Sequence, residues 1–189
     1  DTDTDTDTDT VSCYDVQQGA LGTVTLAGVI VTSGLSADGT SFWVQDAGGG
    51  TWAGLRVYLD EVSYEPSVGQ VLDISGLAQE YYDETEIVVA DAADIADRGN
   101  DMPTSTPLSR DPADWEAYEG VLVELSDIEL LSEADGYGES VTSYAVTVDD
   151  AFFPYYDSFG PGYYDAISGV VAYSYEAFKL EPRDPADFD

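Results

Sequence analysis

Residues 69–95 read GQVLDISGLAQEYYDETEIVVADAADI, and residues 162–188 read GYYDAISGVVAYSYEAFKLEPRDPADF. The two stretches align without a gap at a spacing of 93 residues. Their identical positions are Gly69/Gly162, Ile74/Ile167, Ser75/Ser168, Gly76/Gly169, Tyr82/Tyr175, Asp91/Asp184, Ala93/Ala186 and Asp94/Asp187. A repeat of this length indicates a duplicated unit, so we expect both halves of the chain to have one fold.

Short runs rich in Val, Ile, Thr, Tyr and Trp surround both stretches, and Gly-rich or Asp-Gly turns separate them. Such runs are typical of β-strands, and amphipathic helical periodicity is nearly absent. The runs cover residues 23–32, 41–45, 55–59, 71–76 and 86–90 in the first half, and residues 120–125, 128–131, 144–148, 164–173 and 177–180 in the second. The pattern predicts an all-β protein.

The runs group into two domains. We predict an Asp-Thr repeat arm over residues 1–15, a first barrel over 16–95, a linker over 96–112, where Pro, Ser and Thr cluster, and a second barrel over 113–189. A weaker similarity sets residues 42–47 (FWVQDA) against residues 146–151 (VTVDDA). This match would make Asp46 and Asp150 equivalent, most simply as turn residues that cap their own backbone.

Each half resembles the OB-fold domain that accompanies bacterial extracellular nucleases and recurs in tandem in exported bacterial proteins. The segments that carry the resemblance are GTVTLAGVIVT (22–32), SFWVQDAGGGTWAGLRVYL (41–59), SVGQVLDISGLAQEYYDETEI (67–87) and KLEPRDPADF (179–188). The resemblance covers residues 16–95 well and residues 115–188 more loosely, since the second copy lacks the Gln of the strand motif. It implies two tandem OB-fold-like five-stranded Greek-key barrels with an extended N-terminal arm.

Charge dominates the composition: 39 Asp and Glu residues face only five Lys and Arg residues, for a formal net charge of −34. The few basic residues are scattered, so the chain has no basic patch with which to bind nucleic acid or an anionic membrane. Self-repulsion of this size must be offset by salt or by bound cations. The polar repeat, together with the bias towards Tyr, Gly, Thr and Asp, favours an extracellular or cell-surface protein.

Calcium is the cation that carboxylate oxygens suit best. The Asp residues of the repeat line one face of an extended strand, and the loop 133–139 combines Gly with several carboxylates. Specific binding and mere solvation remain alternatives for these acids. The predicted metal ligands are Asp1, Asp3, Asp5, Asp7, Asp9, Asp135 and Asp150. The alternating threonines are candidate O-glycosylation sites, namely Thr2, Thr4, Thr6, Thr8 and Thr10.

The chain contains no His, which removes Ser-His-Asp and Cys-His catalysis and the usual transition-metal sites. Among 39 acidic residues, pairs of carboxylates arise by chance and are no evidence for an active site. We therefore predict no enzyme, no catalytic residue and no organic cofactor. Tyrosine doublets are more informative, because adjacent residues of a strand face opposite sides. Tyr81, Tyr82, Tyr155 and Tyr156 are predicted interface residues that either contact another molecule or pack within the chain.

Two functions fit these observations. In the first, the protein is a structural subunit that forms a homopolymeric fibre or surface layer, with the arm added as a strand to the next copy and calcium at the joint. In the second, it is a monomeric binding module for carbohydrate or another surface ligand, with the Asp-Thr repeat as a spacer. Neither involves nucleic acid or insertion into a membrane.

Overall fold

A computed structural model describes residues 9–189, and strands account for 46% of the structure against 9% for helices, so the all-β prediction is confirmed. The strands of the first half (residues 9–100) are β1 (Asp9–Val11), β2 (Gly22–Val31), β3 (Ser41–Gln45), β4 (Gly54–Leu59), β5 (Gln70–Tyr81), β6 (Glu84–Val89) and β7 (Ile95–Asn100). Those of the second half (residues 106–189) are β8 (Thr106–Leu108), β9 (Leu122–Leu130), β10 (Ser140–Val141), β11 (Thr147–Val148), β12 (Gly162–Ser174) and β13 (Ala177–Glu181).

Over residues 9–189, helical structure is limited to short turns. One α-helix, α1 (Cys13–Gln17), follows β1, and Ser12 caps it by accepting a hydrogen bond from Asp15 N. Short 3₁₀ turns cover Ala92–Asp94, Glu116–Tyr118, Tyr155–Asp157 and Pro185–Asp187. Within residues 9–189 no helix has the length and apolar character that crossing a membrane requires.

The first half forms a closed five-stranded barrel in the order β2-β3-β4-β6-β5, with β5 pairing back onto β2. Only β4 and β6 run parallel in this barrel; the other pairs are antiparallel. Alternate side chains of each strand point inward and fill the barrel, as the two-residue period of a strand requires. The fully buried interior includes Leu26, Phe42, Leu55, Leu72, Ile74 and Ile87.

The second half repeats these pairings in a six-stranded sheet of order β10-β11-β13-β12-β9-β8. Here too one inner pair is parallel, β11 with β13, and a bridge from Leu130 to Thr142 connects β9 to the chain just after β10. The repeat extends to small details. Asp91 and Asp184 each cap a 3₁₀ turn by accepting from the N–H two residues later, at 2.9 and 2.7 Å. The sequence repeat therefore coincides with a structural one.

The weaker match between residues 42–47 and 146–151 is wrong. Thr147 and Val148 pair in parallel with Lys179 and Leu180, which is how β4 pairs with β6 in the first half. β3, which holds residues 42–45, instead lies between β2 and β4 in antiparallel pairing. Asp46 and Asp150 are therefore not equivalent, because residues 147–148 correspond in their pairing to β4 and not to β3.

Both halves begin with a short strand added in parallel to the first long strand. β1 places Thr10 opposite Thr25 of β2, and β8 places Pro107 opposite Glu124 of β9. Residues 9–11 of the predicted arm thus pair with their own chain. The segment 96–112, predicted as a linker, contains most of β7 and all of β8.

Buried polar contacts join the two halves along a seam. Gln45, fully buried at the end of β3, donates from Nε2 to Thr104 O at 2.9 Å and accepts from Leu122 N at 3.3 Å through Oε1. Glu119 accepts a 2.8 Å hydrogen bond from Thr85 N. These hydrogen bonds satisfy backbone groups that would otherwise be buried without a partner. Neither half supplies these partners alone, so the bonds fix the two halves to each other.

Close packing completes the seam. The backbones of Gly54 and Gly120 lie against each other with no room for a side chain on either residue. Beside them an apolar cluster combines Trp43 of the first half with residues of β9 and β12 from the second, and Phe152 packs against its edge. The members of this cluster are Trp43, Leu122, Val170 and Ala172.

Candidate ligand-binding cleft

Two equivalent hairpins meet near the seam. Tyr82 and Asp83 connect β5 to β6, and Tyr175 and Glu176 connect β12 to β13. In both turns the first residue has φ 51° and the second φ 64°. Positive φ at both central positions defines the two-residue hairpin turn whose twist matches that of the flanking strands. The turn backbone therefore aims the paired tyrosines outward in the same manner.

The tips of the two hairpins enclose a cleft of about 490 Å³, which we call the hairpin cleft. Its walls are formed by Tyr81 and Tyr82 from one half and by Tyr173 and Tyr175 from the other. Tyr82 is 84% exposed and Tyr175 is 95% exposed, and the Tyr81 and Tyr82 rings meet edge to face at 4.7 Å. The acidic residues Asp83, Glu84 and Glu176 also line the cleft.

Arg56 on β4 is the one basic residue that lines the hairpin cleft. Its Nη1 contacts Glu84 Oε2 at 2.6 Å and Glu86 Oε2 at 3.5 Å. Its Nε and Nη2 both donate to Ser41 Oγ, at 3.0 and 2.9 Å, and its guanidinium lies 5.7 Å from the centre of the Tyr58 ring. These contacts hold the planar guanidinium in one orientation.

Burial raises the pKa of Glu84 from 4.5 to about 7, although the Arg56 guanidinium opposes this effect. The backbone of Tyr173, which belongs to the other half, also opposes the rise in the pKa of Glu84. The pair Arg56–Glu84 therefore presents one cation and one carboxyl that changes charge near neutral pH. Both can form hydrogen bonds with a polar molecule in the cleft.

A second cavity of about 350 Å³ continues from the hairpin cleft and shares Arg56 and Glu84 with it. Its wall includes residues 36–38 of the loop between β2 and β3. The loop is tied to the second half, because Ala37 N donates to Ala151 O at 2.8 Å. Together, the two cavities lie along the outer face of β3 and β4, next to the loop between β2 and β3 and the turn between β5 and β6.

The predicted metal ligands do not come together in the described part of the chain. Asp1, Asp3, Asp5 and Asp7 lie outside residues 9–189, and Asp9 is the first residue of β1. Asp135 accepts hydrogen bonds from Tyr137 N and Glu139 N, and hydrogen bonding to Asp150 raises the pKa of Tyr156. Across residues 9–189 no group of three or more Asp, Glu or Cys side chains is arranged to hold a metal ion.

The other predicted site residues have different environments. Thr2, Thr4, Thr6 and Thr8 lie outside the described residues, and Thr10 is exposed on β1. Tyr81 and Tyr82 line the hairpin cleft, and Tyr156 is 43% exposed elsewhere on the second half. Tyr155 is fully buried, and its hydroxyl donates to Ser140 Oγ at 2.7 Å inside its own half. It is therefore not an interface residue.

The sequence predictions omitted Arg56, Glu84, Tyr173 and Tyr175 from the site. One signal for them was present, because the repeat pairs Tyr82 with Tyr175. An exposed tyrosine in one turn should have an exposed counterpart in the other. No local pattern, however, indicates that the two turns face each other, since that depends on how the halves pack.

No protein-family model and no curated protein sequence matches the chain.

Proposed function

We propose that the chain is a non-enzymatic extracellular binding module made of two fused OB-type barrels, and that the hairpin cleft binds a carbohydrate. The observation that carries this proposal is the convergence of four tyrosines around the Arg56–Glu84 pair in one cleft. Concave sites with aromatic walls and a few fixed polar groups are the usual form of a small-molecule site.

The position of the cleft supports an OB-type assignment. In an OB-fold, ligands bind on the face of the second and third strands, between the loop that joins strands one and two and the loop that joins strands four and five. In the first barrel these elements are β3 and β4, the segment 32–40, and the turn at Tyr82 and Asp83. All of them line the hairpin cleft or the cavity that continues from it.

Carbohydrate is the ligand class that agrees best with the charge. OB-folds bind oligonucleotides and oligosaccharides, and a net charge of −34 repels a phosphate backbone. Tyrosine rings offer flat apolar faces for a sugar ring, and their hydroxyls can form hydrogen bonds at the rim. Arg56, Glu84 and Ser174 add polar groups within the same cleft.

Residues 9–11 give no support to assembly by strand addition. They already pair with β2 of their own chain, so adding them to a neighbouring copy would first require this pairing to break. The second half uses residues 106–108 in the same way. This repeated pairing favours the binding module over the fibre subunit.

Affinity electrophoresis through gels that contain soluble polysaccharides tests the proposal. We expect at least one neutral polysaccharide to retard the protein, and Tyr175→Ala to weaken that binding about fivefold, because a lost stacking contact is worth roughly 1 kcal/mol. Tyr163→Ala is the matched control, since Tyr163 is also exposed but lies outside the cleft. Equal loss in both variants, or no retardation by any neutral polysaccharide, would contradict the proposal.

A further inference from the structure

Lys179 lies in a cluster of carboxylates on the outer side of β13. The residue is only 4% exposed, and its Nζ contacts Glu139 Oε1 at 2.6 Å and Asp149 Oδ2 at 2.9 Å. The Tyr175 ring centre lies 5.5 Å from Nζ. Glu181, two residues further along the same face of the strand, is 3% exposed. A buried primary amine and a carboxyl are thus held in contact.

We infer that Lys179 and Asp149 form an intramolecular isopeptide bond, with Glu139 and Glu181 carrying protons. In net terms the Lys179 ammonium and the Asp149 carboxylate become a neutral amide and one water. The Nζ–Cγ bond forms, the Cγ–Oδ2 bond breaks, and two of the three ammonium protons leave with Oδ2. No oxidant or other reagent is required, and Glu139 and Glu181 end in the state in which they began.

The position of Asp149 favours attack at its carboxyl carbon. Its backbone N–H donates to Leu180 O at 3.0 Å, which fixes the residue against β13. Its Oδ1 accepts a 2.7 Å hydrogen bond from Asp150 N. A backbone N–H in this place stabilises the negative charge that develops on Oδ1 when an amine adds to Cγ. Glu139 is the less suitable acceptor, because the donor to its second oxygen, Oε2, is the Thr147 hydroxyl at 3.3 Å, a longer contact than that of the Asp150 N–H with Asp149.

The cluster also supplies the proton transfers. Burial lowers the pKa of Lys179, but its hydrogen bonds to Glu139 and Asp149 outweigh burial and raise it. The amine therefore becomes neutral only by passing a proton to one of these partners, and Glu139 is in direct contact with it. Burial, reinforced by the charge of Asp149, raises the pKa of Glu181 to about 8. Glu181 thus holds a proton at neutral pH, and because it lines the same cavity of about 350 Å³ as Asp149, that proton can pass to the Asp149 carboxyl.

Forming the amide removes a desolvation cost. Holding two charges out of water costs free energy, and the neutral amide removes both charges. Because the two groups are already in contact, their reaction avoids the entropy cost of bringing two separate molecules together. A cavity of about 570 Å³, lined by Lys179, Asp149 and Glu139, leaves the water that is released a route to solvent. The amide would link β13 to the segment after β11 in a chain whose single cysteine allows no internal disulfide.

The first half provides an internal contrast. Glu86 occupies the position equivalent to Lys179 at the spacing of 93 residues, and the cation beside it is Arg56. A guanidinium stays protonated in proteins and is not a nucleophile under these conditions. The reaction is therefore confined to the second half.

Intact mass spectrometry of the denatured full chain tests the inference. We expect a mass lower than that of the polypeptide by one water molecule. Lys179→Arg, which keeps the positive charge and the carboxylate contacts, and Asp149→Ala should both restore the full polypeptide mass. Fragmentation should locate the linkage between residues 149 and 179.

Three results would overturn it. The first is a wild-type mass equal to that of the polypeptide. The second is a water loss that persists in Lys179→Arg, which would place the dehydration elsewhere, such as at the Asp38-Gly39 or Asp135-Gly136 step. The third is a water loss that persists in Asp149→Ala, which would move the linkage to another carboxyl.

Discussion

Replacing Gly120 with alanine is expected to destabilise the protein by about 3 kcal/mol or more, a large fraction of the 5–15 kcal/mol typical of a folded domain. A Cβ at this position would lie 2.5 Å from Leu55 N and 2.6 Å from the carbonyl carbon of Gly54. Both are backbone atoms of the other half, so the clash can be relieved only by moving the seam. The φ of +72° at Gly120 adds the strain of a left-handed conformation for a residue with a Cβ.

Urea unfolding, followed by tryptophan fluorescence, measures this effect. Gly136→Ala is the matched control, because no atom lies within 4 Å of a Cβ at Gly136 and its φ is outside the left-handed region. We expect the control to stay within about 0.5 kcal/mol of the wild type, as surface substitutions usually do. Similar stability of the two variants would show that the halves do not pack through the contact between Gly54 and Gly120.

Stability is expected to fall as the pH rises from about 4.5 to 8, by at least about 3 kcal/mol, which is the amount that the raised pKa of Glu84 alone corresponds to. Three buried carboxyls are responsible. Burial is the main cause in each case, and it raises the pKa from 4.5 to about 7 for Glu84, to about 8 for Glu119 and to about 8 for Glu181. A neighbouring acid adds to the shift of Glu119, namely Glu84.

The direction follows from the protons bound in each state. Between pH 4.5 and these raised pKa values, the unfolded chain has lost the protons that the folded chain still holds. Unfolding therefore releases protons, and a higher pH favours it. The stabilisation is fully present below pH 4.5 and is lost as the pH passes through 7 to 8.

Two acids nearer the surface, Asp73 and Asp97, set the low-pH limit of the stable range. A hydrogen bond from Arg98 lowers the pKa of Asp73, and a hydrogen bond from Gln70 lowers that of Asp97, in both cases from 3.8. Their contribution is present above pH 3.8 and is lost as the pH falls through the lowered values. Maximum stability is therefore expected close to pH 4 to 5.

Thermal unfolding between pH 4 and 9 at constant high salt measures the profile and screens the general repulsion between surface acids. Glu119→Gln should flatten the profile, since the amide keeps the shape of the side chain and carries no proton that titrates. Asp73→Asn, a partly exposed counterpart whose pKa is lowered, should leave the loss between pH 4.5 and 8 unchanged. A stability that rises over this interval in the wild type would contradict the buried positions of the three glutamates.

Sequence alone determined the class of the fold and its duplication. Alternating β-branched and aromatic runs can bury one face only as strands, so the all-β character follows from local pattern. The spacing of 93 residues predicted that the halves match, and the turns at Tyr82 and Tyr175 have the same backbone angles. The short match between residues 42–47 and 146–151 predicted a wrong equivalence, because a few similar residues cannot show which position a strand takes in the strand order.

Only the tertiary structure decided what lies together in space. Gln45 contacts Leu122, and Thr85 contacts Glu119, across separations for which the chain has no periodic signal. Tyr155 and Tyr156 form the same kind of doublet as Tyr81 and Tyr82, but Tyr155 is buried because Ser140 and nearby carbonyls satisfy its hydroxyl. The cleft exists because the seam brings two like turns together, and that packing depends on shape complementarity and buried hydrogen bonds between distant segments.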